Sequence, residues 1–426
     1  MNSNKIFTND NCVGCNLCIS VCPCNEANVA QVKDGTRKVF VDESKCINCG
    51  QCLRVCTHDA RDYTDDTARF ISDISAGKDI SLIVAPALRS NVQSWQRLLG
   101  HLKSLGVNMV YDTSFGADIC TWAYLRYISV SSAKGLISQP CPAIVSYIER
   151  YVPELLSRLA PIHSPAMCTA VYMKKYMAIP GDYAFLSPCI AKSDEFNDPN
   201  TGSLIKYNIT FKKLLEHLEE NGEDYHKSPP AEYDNPPHGL GAVYPSPGGL
   251  YANVRQHVKD AWVFKIEGQP RVSSFLHEYV NTRSDSPLLV DILSCAGGCN
   301  TGPGACLTED MELTAGKAMH KVSQEAANSE SKPDFTQFDK ELKLEDYCRQ
   351  YTPRKIMPIF VDRHQMEDAF NALHKSSHEH RVTDCKYCGY STCQEMAVAI
   401  AKGINHVDNC VDYLRSSLKT TKEVVL

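Results

Sequence analysis

Leu288–Gly304 reads LLVDILSCAGGCNTGPG. It opens as a continuous apolar run of the kind a fully buried strand shows. The run breaks into Cys295 and Cys299, amid Gly297, Gly298, Gly302 and Gly304. Glycine removes side-chain bulk and permits positive φ, so backbone can close tightly around something large. Two thiolates at this spacing can both face one inorganic cluster. Read by itself, the stretch equally suits a glycine-rich turn holding two inert, buried cysteines.

The rest of the chain weighs on that choice. At 426 residues it is long enough for two or three domains around large cores. It carries 21 cysteines, with no apolar N-terminal segment of signal-peptide type and no run near the ~18 apolar residues of a membrane span. A disulfide framework is therefore disfavoured and metal ligation preferred. The formal charge of −6 comes without a long basic block, which argues against nucleic acid as a partner. The expectation is a soluble, cytoplasmic metalloprotein of a reducing compartment, without membrane contact.

Residues 12–22 read CVGCNLCISVC, and residues 46–56 read CINCGQCLRVC. Both follow Cys-x2-Cys-x2-Cys-x3-Cys and make the one clear internal repeat. This is the run of a two-cluster ferredoxin, in which the fourth cysteine of each run serves the other cluster. Cys12, Cys15, Cys18 and Cys56 would hold one cubane; Cys46, Cys49, Cys52 and Cys22 the second. Zinc is the competing ligand, but it usually pairs two Cys-x2-Cys knuckles. Cys24 is left over and reads as a small buried residue. In the tail, Cys385, Cys388, Cys393 and Cys410 could hold a third cubane, the last cysteine lying beyond a helical stretch that includes Met396, Ala397, Ile400 and Ala401. Zinc stays open there.

Between these ends the pattern is α/β. Ile80–Ala85, Val107–Tyr111 and Tyr183–Ser187 read as strands. Helices are expected over 92–105, 116–130, 142–159 and Phe211–Asn221, the last capped by Thr210 and stopped by Gly222. Residues 225–250 read as an irregular Pro/Gly-rich loop, and 311–350 as a polar helix plus a surface excursion. Alternating strands and helices predict a mostly parallel sheet covered on both faces. Ligands gather at the carboxyl ends of such strands, where Pro86, Cys189 and Cys295 would converge.

Cys141 in SQPCPAI and Cys189 in LSPCIAKSDE add two thiols to Cys295 and Cys299. With APALR at 85–89, DTSFGAD at 112–118, YVPELL at 151–156 and HSPAM at 163–167, the constellation resembles the catalytic domain of the FeFe (di-iron) hydrogenases. The resemblance implies three parts: a two-cubane ferredoxin-like domain over 1–75, an α/β catalytic (H-cluster) domain over 76–375, and a C-terminal four-cysteine iron–sulfur domain over 376–426. It implies four 4Fe–4S clusters, one of them central and held by Cys141, Cys189, Cys295 and Cys299. Cys299 would bridge to a di-iron unit bearing CO, cyanide and a bridging dithiolate. Lys192 would donate to an iron-bound cyanide, with backbone near Pro86, Ala87 and Pro165 supplying the other polar contacts.

The sequence also departs from the family pattern. Pro140 stands where most family catalysts have a proton-delivering cysteine. Tyr124 and Tyr127 replace two relay glutamates, and Ala160 replaces a serine; Ser187 and Leu293 replace two methionines. Tyrosine, near pKa ~10, is a poor shuttle at neutral pH. This set resembles the sensory branch of the family. The implied function is reversible oxidation of H2 to protons and electrons, slow and serving hydrogen sensing. A ferredoxin or another redox or signalling protein would be the partner, with maturation enzymes building the di-iron unit. The alternative is a non-catalytic electron-transfer or cluster-assembly scaffold. Cys120, Cys168, Cys306 and Cys348 carry no assignment, although Cys168 is a candidate replacement proton carrier.

Overall fold

A computed structural model describes residues 5–24, 26–33, 35–282, 286–328 and 333–424. They form two compact units: residues up to Thr64 together with those from Ile356 onward, and Asp65–Lys355.

The first unit holds two antiparallel ribbons, β1 (Ile6–Thr8) with β4 (Arg61–Tyr63) and β2 (Asn28–Lys33) with β3 (Thr36–Val41). The internal repeat is also a structural one. Each cysteine run turns through a four-residue helix, Leu17–Ser20 or Gln51–Arg54, entered from a left-handed residue, Asn16 or Gly50. The tail adds helices Arg363–Ala372, Cys393–Ala401 and Val411–Val424. It is fastened to the ribbons by backbone and charge. Ala30 N–H donates to Ile404 O at 2.9 Å, and Arg37 Nη1 to Asp408 O at 2.8 Å. Glu26 pairs with Lys402 and, at 3.0 Å, with Lys45.

The second unit contains two parallel sheets. In the first, β5 (Ile80–Val84), β6 (Val110–Asp112), β8 (Asp182–Ser187) and β9 (Ile205–Thr210) run in the order β6-β5-β8-β9. In the second, β7 (Leu136–Ile137), β10 (Val263–Glu267) and β11 (Leu289–Leu293) run β10-β11-β7. Both β5 and β11 are buried throughout, as their unbroken apolar runs require. The division into two sheets departs from the single sheet expected, and helices between the layers account for it. Helix Pro165–Val171 turns Ala166, Met167 and Ala170 into the first sheet's core, and Cys168 and Val171 into the second's. Beside it, helix Thr113–Ser131 is buried without a break from Thr113 through Tyr124, as a helix wedged between layers must be. The expected cap is present: Thr210 Oγ1 accepts from Lys213 N–H at 3.3 Å ahead of helix Phe211–Glu220.

The two compact units meet in sequence at 64/65 and 355/356. Asp65 and Asp66 accept from the N–H groups of Thr210 and Asn208 at 2.8 and 2.9 Å, and Phe70 enters the first sheet's core. Helix Thr67–Ser75 therefore belongs to the central unit. Residues from Ile356 on pack with the ribbons in one compact unit.

Candidate functional site

The loop after β11 closes where its glycines allow. Gly298 has φ +67°, and a Cβ there would lie 2.2 Å from Pro245 O; at Gly302 it would lie 2.3 Å from Pro188 O. In the same places Cys299 N–H donates to Pro245 O at 2.7 Å, and Gly304 N–H to Pro188 O at 2.9 Å. Cys299 is thereby drawn beside Cys189, which follows β8. Cys141 arrives as the residue before helix Pro142–Tyr151.

These thiols share one electrostatic neighbourhood. The Cys189 thiol is pushed up to about 12, first by burial and then by Cys141 and Cys295, with Lys192 opposing them. Cys299 is raised well above the ordinary thiol range by burial, then by Cys141, Cys189 and Cys295. Thiols such as Cys189 and Cys299, raised by burial and by their neighbours, need positive charge beside them before they can act as thiolates, and a metal cluster supplies it. Among the described residues no three His, Cys, Asp or Glu side chains are placed to share a single metal ion. The donor set fits a polynuclear cluster approached from three loops.

Beside the thiols lies a cavity of about 70 Å³. Its lining includes Cys189, Cys299, Lys192, Pro86, Ala87, Pro140 and Pro165, together with Ser187, Leu293 and Tyr244. The expected cofactor contacts and the two methionine replacements thus face one space. Tyr244 carried no sequence signal; its hydroxyl meets Thr121 Oγ1 at 2.7 Å.

Lys192 is buried rather than solvated, at 8% exposure. Its Nζ donates to Glu195 Oε2 at 2.6 Å and to Ser164 Oγ at 3.1 Å. Behind Glu195, Arg349 stands 3.7 Å away and holds Asp198 at 2.8 Å. Burial would push the Glu195 carboxyl up, but Lys192 and Arg349 outweigh it and hold it below its ordinary range. An ammonium wholly neutralised by a carboxylate would have little to offer a ligand. Here Arg349 shares that carboxylate, so Lys192 can donate to an anion in the cavity. Glu195 and Arg349 escaped the sequence reading. Glu195 was legible as an i,i+3 partner; Arg349 was not.

Two of the altered relay positions, Tyr124 and Ala160, are closed off. The Tyr124 hydroxyl is buried, donates to Gln139 Oε1 and is raised well above its ordinary range by burial. Gln139 Nε2 in turn donates to Ile162 O. Ala160 offers only its carbonyl, to the Tyr351 hydroxyl at 2.5 Å. Cys168, the suggested substitute carrier, is not part of the cavity lining. Its thiol donates to His163 O at 3.4 Å and is pushed well up by burial and by Cys120.

In the other unit, Cys22, Cys24, Cys46, Cys49 and Cys52 line one small cavity of about 20 Å³. Cys18 is raised by burial and, less strongly, by Cys12 and Cys15. In the tail, the Cys388 thiol is pushed up to about 11, first by burial and then, less strongly, by Cys410 and Cys385. The buried Lys375, bonded to Asp412 at 2.7 Å, feels both Cys393 and Cys410. Cys24 is buried, as expected, and its carbonyl accepts from Cys22 Sγ at 3.1 Å. No helix among the described residues is long and apolar enough to cross a membrane.

Comparison with known proteins agrees with these three groups of thiols. The 4Fe–4S dicluster domain matches residues 11–60, and an Fe–S cluster family matches residues 382–411. The NADP-reducing hydrogenase subunit HndD of Solidesulfovibrio fructosivorans is 22% identical over 374 residues, covering 69% of this chain and 63% of HndD. Protein NAR1 of Arabidopsis thaliana is 24% identical over 168 residues, covering 34% and 35%. The chain thus spans less than two thirds of either relative. A solved FeFe-hydrogenase, studied for oxygen damage to the 2Fe subcluster of its H cluster, shares the fold. It has a TM-score of 0.56 at 16% identity, covering 69% of this chain and 100% of that one. The family of the iron-only hydrogenase large subunit, C-terminal domain, matches residues 78–303, more than half of the sequence, and the chain belongs to that family.

Proposed function

We propose that this protein reacts with H2, oxidising it reversibly to protons and electrons, slowly, and that it serves hydrogen sensing. The observation that carries the reading is the cavity in which Lys192 meets Cys189 and Cys299. Cys141, Cys189, Cys295 and Cys299 would hold a cubane, and Cys299 would also bridge to a di-iron unit with CO, cyanide and a dithiolate. That unit, when bound, supplies the heterolytic chemistry of H2. The chain's own part is to bind, orient and exclude water. Lys192 offers an N–H to an anionic ligand while Glu195 and Arg349 fix its position, and Pro86, Ala87, Pro140 and Pro165 keep the walls apolar. Cys12, Cys15, Cys18 and Cys56, the set Cys22, Cys46, Cys49 and Cys52, and Cys385, Cys388, Cys393 and Cys410 would hold three further cubanes. A ferredoxin or another cytoplasmic redox or signalling protein would take the electrons, and maturation enzymes would install the di-iron unit.

The second reading is a cluster-carrying scaffold without the di-iron unit, favoured by the similarity to NAR1. Infrared spectroscopy of protein matured with the di-iron unit separates the two. Bands of metal-bound CO and cyanide are expected for the hydrogenase reading; their absence, with all cubanes in place, would leave the scaffold.

A further inference from the structure

Arg61, on β4, is 7% exposed. Its Nη2 donates to Cys18 Sγ at 3.3 Å and to Asn28 Oδ1 at 2.7 Å. Its Nη1 is buried with no hydrogen-bond partner among the described residues. Asn28 is itself committed, its amide donating to Cys18 O at 3.1 Å. A buried guanidinium with an unmet N–H group is costly unless something anionic faces it. Burial works against its charge; Cys18 and then Cys52 and Cys12 favour it. Reciprocally, Arg61 is the largest influence opposing the burial of both Cys18 and Cys52. In the proposed assignment those two thiols belong to different cubane sets, so a cation bonded to Cys18 also acts on the neighbouring set.

We propose that Arg61 is a redox-positioning residue: a buried cation shared by the two ferredoxin cubanes that raises their reduction potentials, most strongly that of the cubane held by Cys18. Cluster potential depends on net charge, on hydrogen bonds to the sulfurs and on solvent exposure. Reduction adds one negative charge to a cluster, so a fixed cation with an N–H aimed at a ligand sulfur stabilises the reduced form more than the oxidised one. The proposal rests on the cubane reading of residues 12–56 and is independent of the di-iron unit and of hydrogen turnover.

The test is an EPR-monitored redox titration of full-length, iron-loaded protein made without the di-iron unit. The two ferredoxin cubanes are recognised by their mutual spin coupling. Arg61→Gln, at wild-type iron content, should lower the reduction equilibrium constant of the Cys18 cubane about tenfold, roughly 59 mV for one electron. It should lower that of its neighbour less, and leave the other clusters unmoved. Arg61→Lys keeps the charge and should stay within about threefold of wild type. Unchanged potentials in a fully loaded Arg61→Gln protein would overturn the proposal, as would an equal shift of all clusters. Should Arg61→Gln fail to hold its iron, Arg61→Lys decides: a tenfold fall despite the retained charge refutes the electrostatic role.

Discussion

Replacing Lys192 with methionine tests whether the lysine is part of a built site or merely near it. The side chains of Lys192 and Glu195 are 11% and 2% exposed. Removing one member of so buried a pair typically costs about 3–5 kcal/mol, because the other charge is stranded. Arg349 remains 3.7 Å from Glu195, which places the expected cost near the lower end, about 3 kcal/mol. Trp95, Trp122 and Trp262, all the tryptophans of the chain, lie in the central unit, so their fluorescence follows that unit alone during urea unfolding. With a slope of about 3 kcal/mol per M, the midpoint should fall by about 1 M. Adding Glu195→Gln should restore part of the loss, giving a coupling of roughly 1–3 kcal/mol. The acid limb should respond as well. Glu195 has its folded pKa depressed by Lys192 and Arg349 against burial, so its contribution is present above the unfolded value of about 4.3 and is lost as pH falls below it. Lys192→Met should flatten that loss. A cost under about 0.5 kcal/mol, with no coupling to Glu195, would refute the network.

Further outcomes follow from the other sites. Pro140→Cys alone should raise hydrogen turnover little, whereas adding Glu at 124 and 127 and Ser at 160 should raise it far more than the single changes together. A complete relay is worth roughly 10²–10⁴-fold, and wild-type turnover equal to that of glutamate-and-cysteine relatives would contradict this. Cys22→Ser should alter the EPR signal of the cubane held by Cys46, Cys49 and Cys52, and Cys56→Ser that of Cys12, Cys15 and Cys18; the reverse pattern would overturn the crossover. Iron analysis without maturation enzymes should give about 16 irons per chain and with them about 18. Zinc in the Cys385–Cys410 site would break that count.

Much of the site was legible because its signals are local. A cysteine in a fixed run, or a glycine beside it, declares itself within ten residues, and β5 and β11 show as unbroken apolar runs. β10 did not, because it is partly exposed and carries Lys265, which dilutes any hydrophobic pattern. Docking of the tail was equally hidden. Arg37 and Asp408 are joined by a hydrogen bond across 371 positions, and nothing local in either residue names the other. Arg349 and Arg61 share that difficulty: a buried cation looks like a surface one until its anion is placed beside it.

The altered relay positions bear on why hydrogen turnover should be slow. Removing a carboxylate or a thiol could leave a gap that water fills, and water conducts protons well. Here Tyr124 and Ala160 are engaged instead. Tyr124 donates to Gln139, Gln139 donates to the Ile162 carbonyl, and the Ala160 carbonyl is taken by Tyr351. Each line ends on an amide oxygen, which accepts a hydrogen bond but passes no proton onward at neutral pH. At the cavity wall Tyr244 meets Thr121, whose hydroxyl lies 2.9 Å from the Ala117 carbonyl and ends there in the same way. In the proposed reading, Lys192 faces an anionic ligand while Tyr124 and Ala160 are satisfied internally. That combination suits a site that holds hydrogen longer than it turns it over, and occupancy rather than flux is what a sensor must report.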